Sequence, residues 1–315
     1  NFRNNNNTKE SRIVLGNFLQ NGYLKLMKQE IENIPIENFM KQKINNCIGL
    51  DLSQNKIKDL NFFDQLPDFL DLMEMKINNN KLNYITPKII EFKNLKSLEF
   101  KNNNLTEFLE DINFDFLAVN ENKKNVVPKL QVNQMYNNPN QRNRTNNSNN
   151  IKEKLFSNNN NNEDNENENG LENFDTNKNS ILPNLEYLDI STNKLRNIPT
   201  IIKFLGKLNT VILTNNQINN AELLKEIKNP LLFTIELGTN KITNLPEKLY
   251  LTVPNIKHLG VDNNEIRSVP TDLCVLKNIN KITLNGNPLK QLRSNIISGG
   301  TKTILEYLRK MHKFT

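Results

Sequence analysis

The chain has 315 residues, a net charge of +7 at pH 7 and a pI of about 9.2. The sequence contains no run of 18 apolar residues, which argues against a membrane-spanning helix. Its two histidines, His258 and His312, cannot be assembled with other residues into a Ser-His-Asp set or a metal cluster, and no phosphate loop occurs, so we expect neither catalysis nor a cofactor.

The first residues precede any regular pattern. Because the chain begins at Asn1 rather than at Met, we expect it to be a fragment, and residues 1–12 are predicted to form a disordered tail.

A repeated pattern of aliphatic residues then runs along most of the sequence. One copy is Leu185–Leu195, which has leucine or isoleucine at positions 1, 4, 6 and 11 and Asn193 at position 9. Copies start 23 to 26 residues apart, except across one longer interval. Position 1 falls at Asn21 in a degenerate copy and then at Cys47, Leu72, Leu95, Leu185, Leu208, Leu232, Ile256 and Ile279. Position 9 is Gln29 in the first copy and then Asn55, Asn80, Asn103, Asn193, Asn216, Asn240, Asn264 and Asn287.

This pattern is the leucine-rich repeat signature. Alternate side chains of a strand point to opposite faces, so Leu188 and Ile190 should point inward and Tyr187 and Asp189 outward. The asparagine turns the chain, and its amide can satisfy buried backbone groups of its own and the adjacent turn, which predicts a structural ladder of asparagines. Proline suits the first turn of the helical segment that follows, as in the pairs Ile34–Pro35, Ile198–Pro199, Leu245–Pro246 and Val269–Pro270.

The predicted fold class is therefore α/β. We expect a leucine-rich repeat solenoid with a curved parallel sheet on its concave face, short helices or 3₁₀ segments on its convex face, and a C-terminal helical cap.

The longer interval separates two blocks of repeats, predicted at 13–109 and 181–292. From Leu95 to Leu185 it is 90 residues, about 66 more than one repeat needs. Residues 110–180 are rich in asparagine and poor in aliphatic residues, which predicts a disordered insertion. Two alternatives stay open: the asparagine runs mediate assembly, or Val127–Val132 begins a decayed repeat with Met135 at position 9.

The two cysteines are not expected to form a disulfide with each other. Six repeats separate Cys47 from Cys274 at about 4.8 Å per strand, whereas a disulfide needs Cα atoms within about 7 Å. Both are expected to be small core residues. This favours a reducing compartment, the cytoplasm, with the nucleus as the alternative.

Residues 293–315 are predicted to form the C-terminal cap. Thr303 and Glu306 have the spacing of a capping box at the start of a helix. The apolar face of this helix should seal the open end of the core, and it is formed by Ile304, Leu308 and Met311.

Several residues around this cap carry a family resemblance, namely Gly286–Leu289, Arg293, Ile296–Ile297, Gly300–Thr301 and Leu305–Arg309. In them the chain resembles the Ras-group of intracellular leucine-rich repeat proteins. The resemblance extends back through Leu208–Ile218 and, more weakly, to the first repeats, but the insertion interrupts it. It implies a non-catalytic scaffold, and some members of that group engage small GTPases or protein phosphatase complexes.

The outward strand positions on the concave face are the candidate partner-binding surface. Their charge balance is slightly acidic, whereas the positive charge of the chain concentrates after Pro288. This argues against a nucleic-acid groove and favours attraction of a basic protein. The acids are Asp51, Glu74, Glu99, Glu186, Asp189, Glu236 and Asp262, and the bases are Lys76, Lys96, Lys101, Lys257 and Lys281.

Outward residues of unusual type add candidate hot spots on that face, because aromatic and aliphatic side chains are rare on a polar sheet. They are Tyr187, Ile212, Phe233 and His258. The alternatives are that a neighbouring repeat covers these residues, that the acids are an ordinary solubilising surface, and that the basic cap is a solvated face rather than a contact for a membrane or an acidic partner.

The function predicted from the sequence is a monomeric, non-catalytic, intracellular scaffold or adaptor that binds a protein through the concave face. No nucleic acid and no membrane span are expected. The alternative is a regulatory subunit of an enzyme complex, such as a protein phosphatase or small-GTPase assembly. A third reading is a structural component whose insertion mediates assembly.

Overall fold

Ten short strands pair in sequence order in a single sheet within the residues that the structure, a computed structural model, describes. Those residues are 19–34, 47–65, 71–109 and 181–312. The predicted tail, the predicted insertion with its candidate repeat at Val127–Val132, and Pro35 lie outside these ranges.

Strand β1 (Leu19–Gln20) is antiparallel to β2, and the others run parallel. Each parallel strand occupies positions 3 to 5 of a repeat, so the register read from the sequence is confirmed. The bounds are β2 (Tyr23–Lys25), β3 (Gly49–Asp51), β4 (Glu74–Lys76), β5 (Ser97–Glu99), β6 (Tyr187–Asp189), β7 (Thr210–Ile212), β8 (Thr234–Glu236), β9 (His258–Gly260) and β10 (Lys281–Thr283).

The hydrophobic core lies behind the sheet. Leu188 at the centre of β6 and Ile190 just after it have no exposed surface. Tyr187, the first residue of β6, is half-buried. Strands β5 and β6 are adjacent and pair Leu98 with Leu188, so the sheet is continuous across the 90-residue interval between repeats.

The position 9 asparagines form hydrogen bonds between successive repeats. Asn216 accepts from the backbone N–H of Leu195 in the preceding repeat at 3.0 Å. Its amide donates to the carbonyls of Leu213 in its own repeat and Ile190 in the preceding one, at 3.0 and 3.1 Å. Asn55, Asn80, Asn103, Asn193, Asn240, Asn264 and Asn287 make the same three bonds.

Position 8 of every described repeat adopts the left-handed backbone conformation. Asparagine and glycine tolerate this region, whereas a β-branched residue is strained there. The φ angles are 58° at Lys28, 60° at Gln54, 56° at Asn79 and Asn102, 55° at Thr192, Asn215 and Thr239, 52° at Asn263 and 71° at Gly286.

Short helical segments lie on the other side of the core. Pro199 and Pro270 stand at the residue before their 3₁₀ helices rather than in the first turn, and no helix follows Pro246 directly. The 3₁₀ helices are Asn61–Gln65, Pro87–Glu91, Thr200–Phe204, Glu222–Lys225 and Thr271–Val275, and helix α1 spans Leu249–Thr252.

Two helices, α2 (Ser294–Ser298) and α3 (Gly300–His312), follow β10. Helix α3 packs on β10 and on the 3₁₀ helix at Thr271–Val275, and its Ile304 and Leu308 are buried. Two details of the prediction are wrong. Met311 is 40% exposed, and Thr303 donates its hydroxyl to the carbonyl of Gly299 instead of capping the helix as an acceptor.

The cysteines differ in their surroundings. Cys47 is buried, its thiol donates to the carbonyl of Gly49 at 3.0 Å, and burial raises its pKa. Cys274 is only half-buried, because it lies on the helical side near the surface, so the expectation of a core residue is wrong there. No helix among the described residues is long and apolar enough to cross a membrane.

Candidate functional site

The open side of the sheet is the candidate functional site. We call it the strand face, defined as the side chains at the first and third residue of each strand from β2 to β10. In-register pairing aligns them in two columns, one residue per strand. The first column is Tyr23, Gly49, Glu74, Ser97, Tyr187, Thr210, Thr234, His258 and Lys281, and the third-residue column is Lys25, Asp51, Lys76, Glu99, Asp189, Ile212, Glu236, Gly260 and Thr283.

Most of the predicted partner-binding residues are partly exposed. The exception is Asp189, which is 8% exposed. Its carboxylate accepts from the backbone N–H of Ser191 at 2.9 Å and so serves the turn after β6. The predicted outward exposure of Asp189 is therefore wrong. The half-buried residues are Asp51, Glu74, Glu99, Tyr187, Ile212, Glu236 and His258 on the strand face, and Asp262 just beyond it.

Glu99 is already paired within the protein. Its carboxylate lies 3.0 Å from the ammonium of Lys76 and accepts at 2.7 Å from the amide of Asn78. The hydrogen bond with Glu99 raises the pKa of Lys76. These contacts join β4 to β5 and offset much of the negative charge that the sequence assigns to this part of the face.

Tyr187 lies beside two carboxylates. Burial raises its pKa to about 12, and the charges of Asp189 and Glu99 add to the effect because they disfavour a phenolate. The phenol is thus neutral over the ordinary pH range. A half-buried aromatic ring beside acids can offer both apolar contact and a cation-binding surface.

Glu236 and His258 form a second pair. The carboxylate lies 3.2 Å from Nδ1 of His258 and extends over Gly260, where a Cβ atom would collide with it. Nε2 of His258 is buried and has no hydrogen-bond partner. The absence of a side chain at Gly260 therefore leaves room for the Glu236 carboxylate.

Asp262 and Phe233 border the same region. Asp262 accepts from the hydroxyl of Thr283 at 2.9 Å. The Phe233 ring is covered by the ammonium of Lys257, 4.5 Å from the ring centroid, so this residue is a cation–π partner rather than a bare apolar contact.

A small cavity opens at the first three parallel strands. It has a volume of about 210 Å³ and is lined by Tyr23, Lys25, Gly49, Leu50, Asp51, Glu74 and Lys76. The Tyr23 ring lies directly against Gly49, and its hydroxyl reaches Glu74 at a long 3.4 Å. One aromatic side chain thus extends across β3 to β4.

The described residues contain no group of three or more His, Cys, Asp or Glu side chains placed to hold a metal ion. The side chains of the strand face offer hydrogen bonds, charge and aromatic contact.

Comparisons with known proteins agree with this geometry. No protein-family model matches the sequence. Chaoptin of Drosophila melanogaster is 29% identical over 119 residues, which are 38% of this chain and 9% of chaoptin. Protein flightless-1 homolog of Caenorhabditis elegans is 31% identical over 119 residues, 36% of this chain and 9% of that protein. The match thus spans only about a tenth of each of these two relatives.

Solved structures resemble the chain over more of its length. Internalin C2 from Listeria monocytogenes str. 4b F2365 gives a TM-score of 0.52 at 18% identity over 84% of this chain and 80% of that one. The leucine-rich repeat domain of APL1B gives 0.51 at 15% identity, over 88% of this chain and 60% of that one. The chain has the leucine-rich repeat fold. A TDR receptor gives a TM-score of 0.52 at 19% identity, over 84% of this chain and 34% of that one.

Tyr23, Lys25 and Gly49 occupy the same outward positions as the predicted site residues, although the site predicted from the sequence does not include them. The signal is weak in the first repeat, which has Asn21 at position 1 and Gln29 at position 9. Extending the register two residues beyond Asn21 would have found Tyr23.

Proposed function

We propose that this leucine-rich repeat chain is a non-catalytic scaffold or adaptor that binds a protein partner on its strand face, which the sequence predicts to be concave. The observation that carries the proposal is the two-column register. It presents polar, charged and aromatic side chains continuously from β2 to β10 on one open surface.

The composition of this surface suits a protein better than a nucleic acid. Lys25, Lys76 and Lys281 are its bases, and Lys76 is neutralised by Glu99. A phosphate backbone requires a basic surface, whereas the strand face carries more carboxylates than ammonium groups. Half-buried Tyr187 and Ile212 supply the apolar contact that protein interfaces concentrate near their centre.

The narrower parts of the proposal come from the sequence. An intracellular location is supported by two free cysteines, Cys47 and Cys274. The cap resembles that of leucine-rich repeat-containing protein 40 and of the Ras-group. We propose a monomer that spans no membrane and binds no nucleic acid. The alternative role as a regulatory subunit would use the same face and would change the activity of a bound enzyme.

Site-specific photocrosslinking tests the surface. A photoreactive phenylalanine at Thr210 or Ile212 on the strand face should crosslink one protein from the native cell at near-stoichiometric yield. The same group at Leu251, which is 66% exposed on α1, is the control and should not crosslink that protein. Equal crosslinking from Leu251 would contradict the proposal.

Charge reversal supplies a second test. Glu236→Lys combined with Asp262→Lys should weaken capture of the crosslinked partner at least about tenfold, since close charge pairs at interfaces are worth about 1.5 kcal/mol or more. Glu247→Lys combined with Glu265→Lys changes the net charge equally at exposed positions off the strand face and serves as the control. Asp189 is left unchanged because its carboxylate holds a turn.

A further inference from the structure

The side chains around the cavity on β2, β3 and β4 include both aromatic and acidic groups. Within one small concavity they combine an aromatic ring, Tyr23, with two carboxylates, Asp51 and Glu74. Glycine inside a strand is unfavourable unless something must approach the backbone closely, and Gly49 allows the Tyr23 ring to lie against the sheet.

The size of the cavity limits its ligand. A volume of about 210 Å³ is smaller than the roughly 300–1,000 Å³ of sites for drug-sized ligands. One extended side chain fits such a space.

The charges around the cavity favour a cation. Lys76 contributes little, because Glu99 pairs with it at 3.0 Å. Asp51 accepts only a backbone N–H, from Ser53, and Glu74 only the long bond from Tyr23, within the part of the chain that is described. Asp51, Glu74 and Glu99 together carry three negative charges against the two positive charges of Lys25 and Lys76, which leaves one negative charge uncompensated.

We propose that this cavity binds the side chain of an arginine from the partner protein, with its guanidinium against the Tyr23 ring and its N–H groups donating to Asp51 and Glu74. The inference rests on the proposed function, since the arginine belongs to a protein bound on the strand face. Guanidinium is planar, stacks on aromatic rings and donates in several directions at once. An ammonium is a compact point charge and cannot use the ring and both carboxylates equally.

The test uses the intact chain and small probes in ligand-observed NMR titrations at low ionic strength, where exposed charges are least screened. N-acetyl-arginine amide is the main probe. N-acetyl-citrulline amide is its neutral isostere, and N-acetyl-lysine amide carries the same charge on another shape. We expect the arginine probe to bind at least about tenfold more tightly than either, because citrulline lacks the positive charge and lysine lacks the planar group that can contact the ring and both carboxylates together.

Variants locate the binding. Asp51→Asn keeps an oxygen acceptor for Ser53, and Glu74→Gln keeps the length of the side chain. Each should weaken arginine binding about fivefold or more and leave citrulline binding unchanged. Glu306→Gln on α3 is the matched control, because it removes one exposed carboxylate far along the chain.

Gly49→Ala tests the shape of the cavity independently of charge. The added methyl would lie 2.2 Å from the present position of the Tyr23 ring, so the ring must move. Arginine binding should be lost while the far-ultraviolet circular dichroism stays unchanged. If this variant does not fold, Asp51→Asn and Glu74→Gln still test whether arginine binds in the cavity.

Three results would overturn the assignment: citrulline or lysine probes that bind as tightly as arginine, unchanged binding in both carboxamide variants, or no binding of arginine at all. The last result, with crosslinking from Thr210 intact, removes the cavity assignment alone. Arginine binding without any crosslinking from the strand face removes the protein partner and keeps the cavity.

Discussion

The backbone N–H of Leu105 donates a hydrogen bond of 3.0 Å to the side-chain oxygen of Asn193, 88 residues later in the chain. Together with the pairing of β5 and β6, this bond makes the repeats on either side of residues 110–180 structural neighbours. The stability of the sheet at this junction should therefore depend on Asn193 and not on the length of chain between the two repeats.

Removal of the Asn193 amide should destabilise the protein. Asn193→Ala leaves the carbonyls of Phe100 and Ile190 and the N–H of Leu105 without this partner. Each buried unsatisfied group costs about 1–3 kcal/mol, so we expect a loss of about 3 kcal/mol or more in the free energy of unfolding, measured by urea denaturation. Asn193→Asp should be worse at pH 7, because a buried carboxylate would face two carbonyl oxygens.

An exposed asparagine provides the control for that experiment. Among the residues that the structure describes, the amide of Asn244 donates only to the hydroxyl of Thr243, and Asn244→Ala should change stability by about 0.5 kcal/mol or less. Equal losses in the free energy of unfolding at the two positions would show that the ladder asparagine stabilises the fold no more than an exposed asparagine does.

Shortening the predicted insertion should leave the sheet intact. A chain without residues 111–176 places Leu95 and Leu185 24 positions apart, within the 23 to 26 of the other repeats. Hydrogen exchange at Leu105, whose amide is bonded to Asn193, reports directly on the junction. The Leu105 amide should stay protected in the shortened chain. Fast exchange of this amide would contradict a sheet that continues directly from β5 to β6.

The phenol of Tyr187 should lose its proton at a higher pH than an ordinary tyrosine does. Its pKa of about 12 in the folded protein exceeds the ordinary tyrosine value of 10.0. Below pH 10 both folded and unfolded states keep the proton, so this phenol adds no pH dependence there. Between about pH 10 and 12 the unfolded state alone loses it, so stability should fall with rising pH through that window. Spectrophotometric titration near 295 nm should show a component that Tyr187→Phe removes, and an unchanged titration curve would contradict the assignment.

Thr239 should be a strained residue. It is exposed, β-branched and at φ 55°. Left-handed backbone costs such a residue about 1–2 kcal/mol, and glycine avoids this cost. Thr239→Gly should therefore raise the free energy of unfolding by about 0.5–1 kcal/mol. Thr106→Gly, at an exposed position without positive φ, should lower it by a similar amount through the flexibility of glycine. A destabilising Thr239→Gly would argue against strain.

The cap should contribute to stability through Leu308 and not through Met311. Leu308 has no exposed surface, whereas Met311 is 40% exposed. Leu308→Ala should cost about 2–5 kcal/mol, as other buried leucines do, and Met311→Ala should cost less than about 1 kcal/mol. The two thermal unfolding midpoints compare them directly, and similar shifts would contradict the packing described for α3.

The sequence by itself determined the repeat register, the strand positions and the fold class. Strand alternation and the repeat length are local properties, so Leu188, Ile190 and Asn193 could be placed from their spacing alone. The spacing also indicated which side chains share the strand face, because parallel pairing in register carries each position from one repeat to the next.

Only the tertiary structure decided what those side chains do. The burial of Asp189, the pairing of Glu99 with Lys76 and the cavity at Gly49 arise from contacts between neighbouring repeats. The period of one repeat does not specify which side chains of the next repeat will lie within hydrogen-bonding distance. The same reason explains Met311 and Cys274, whose exposure depends on how α3 packs against the preceding 3₁₀ helix and not on their own spacing.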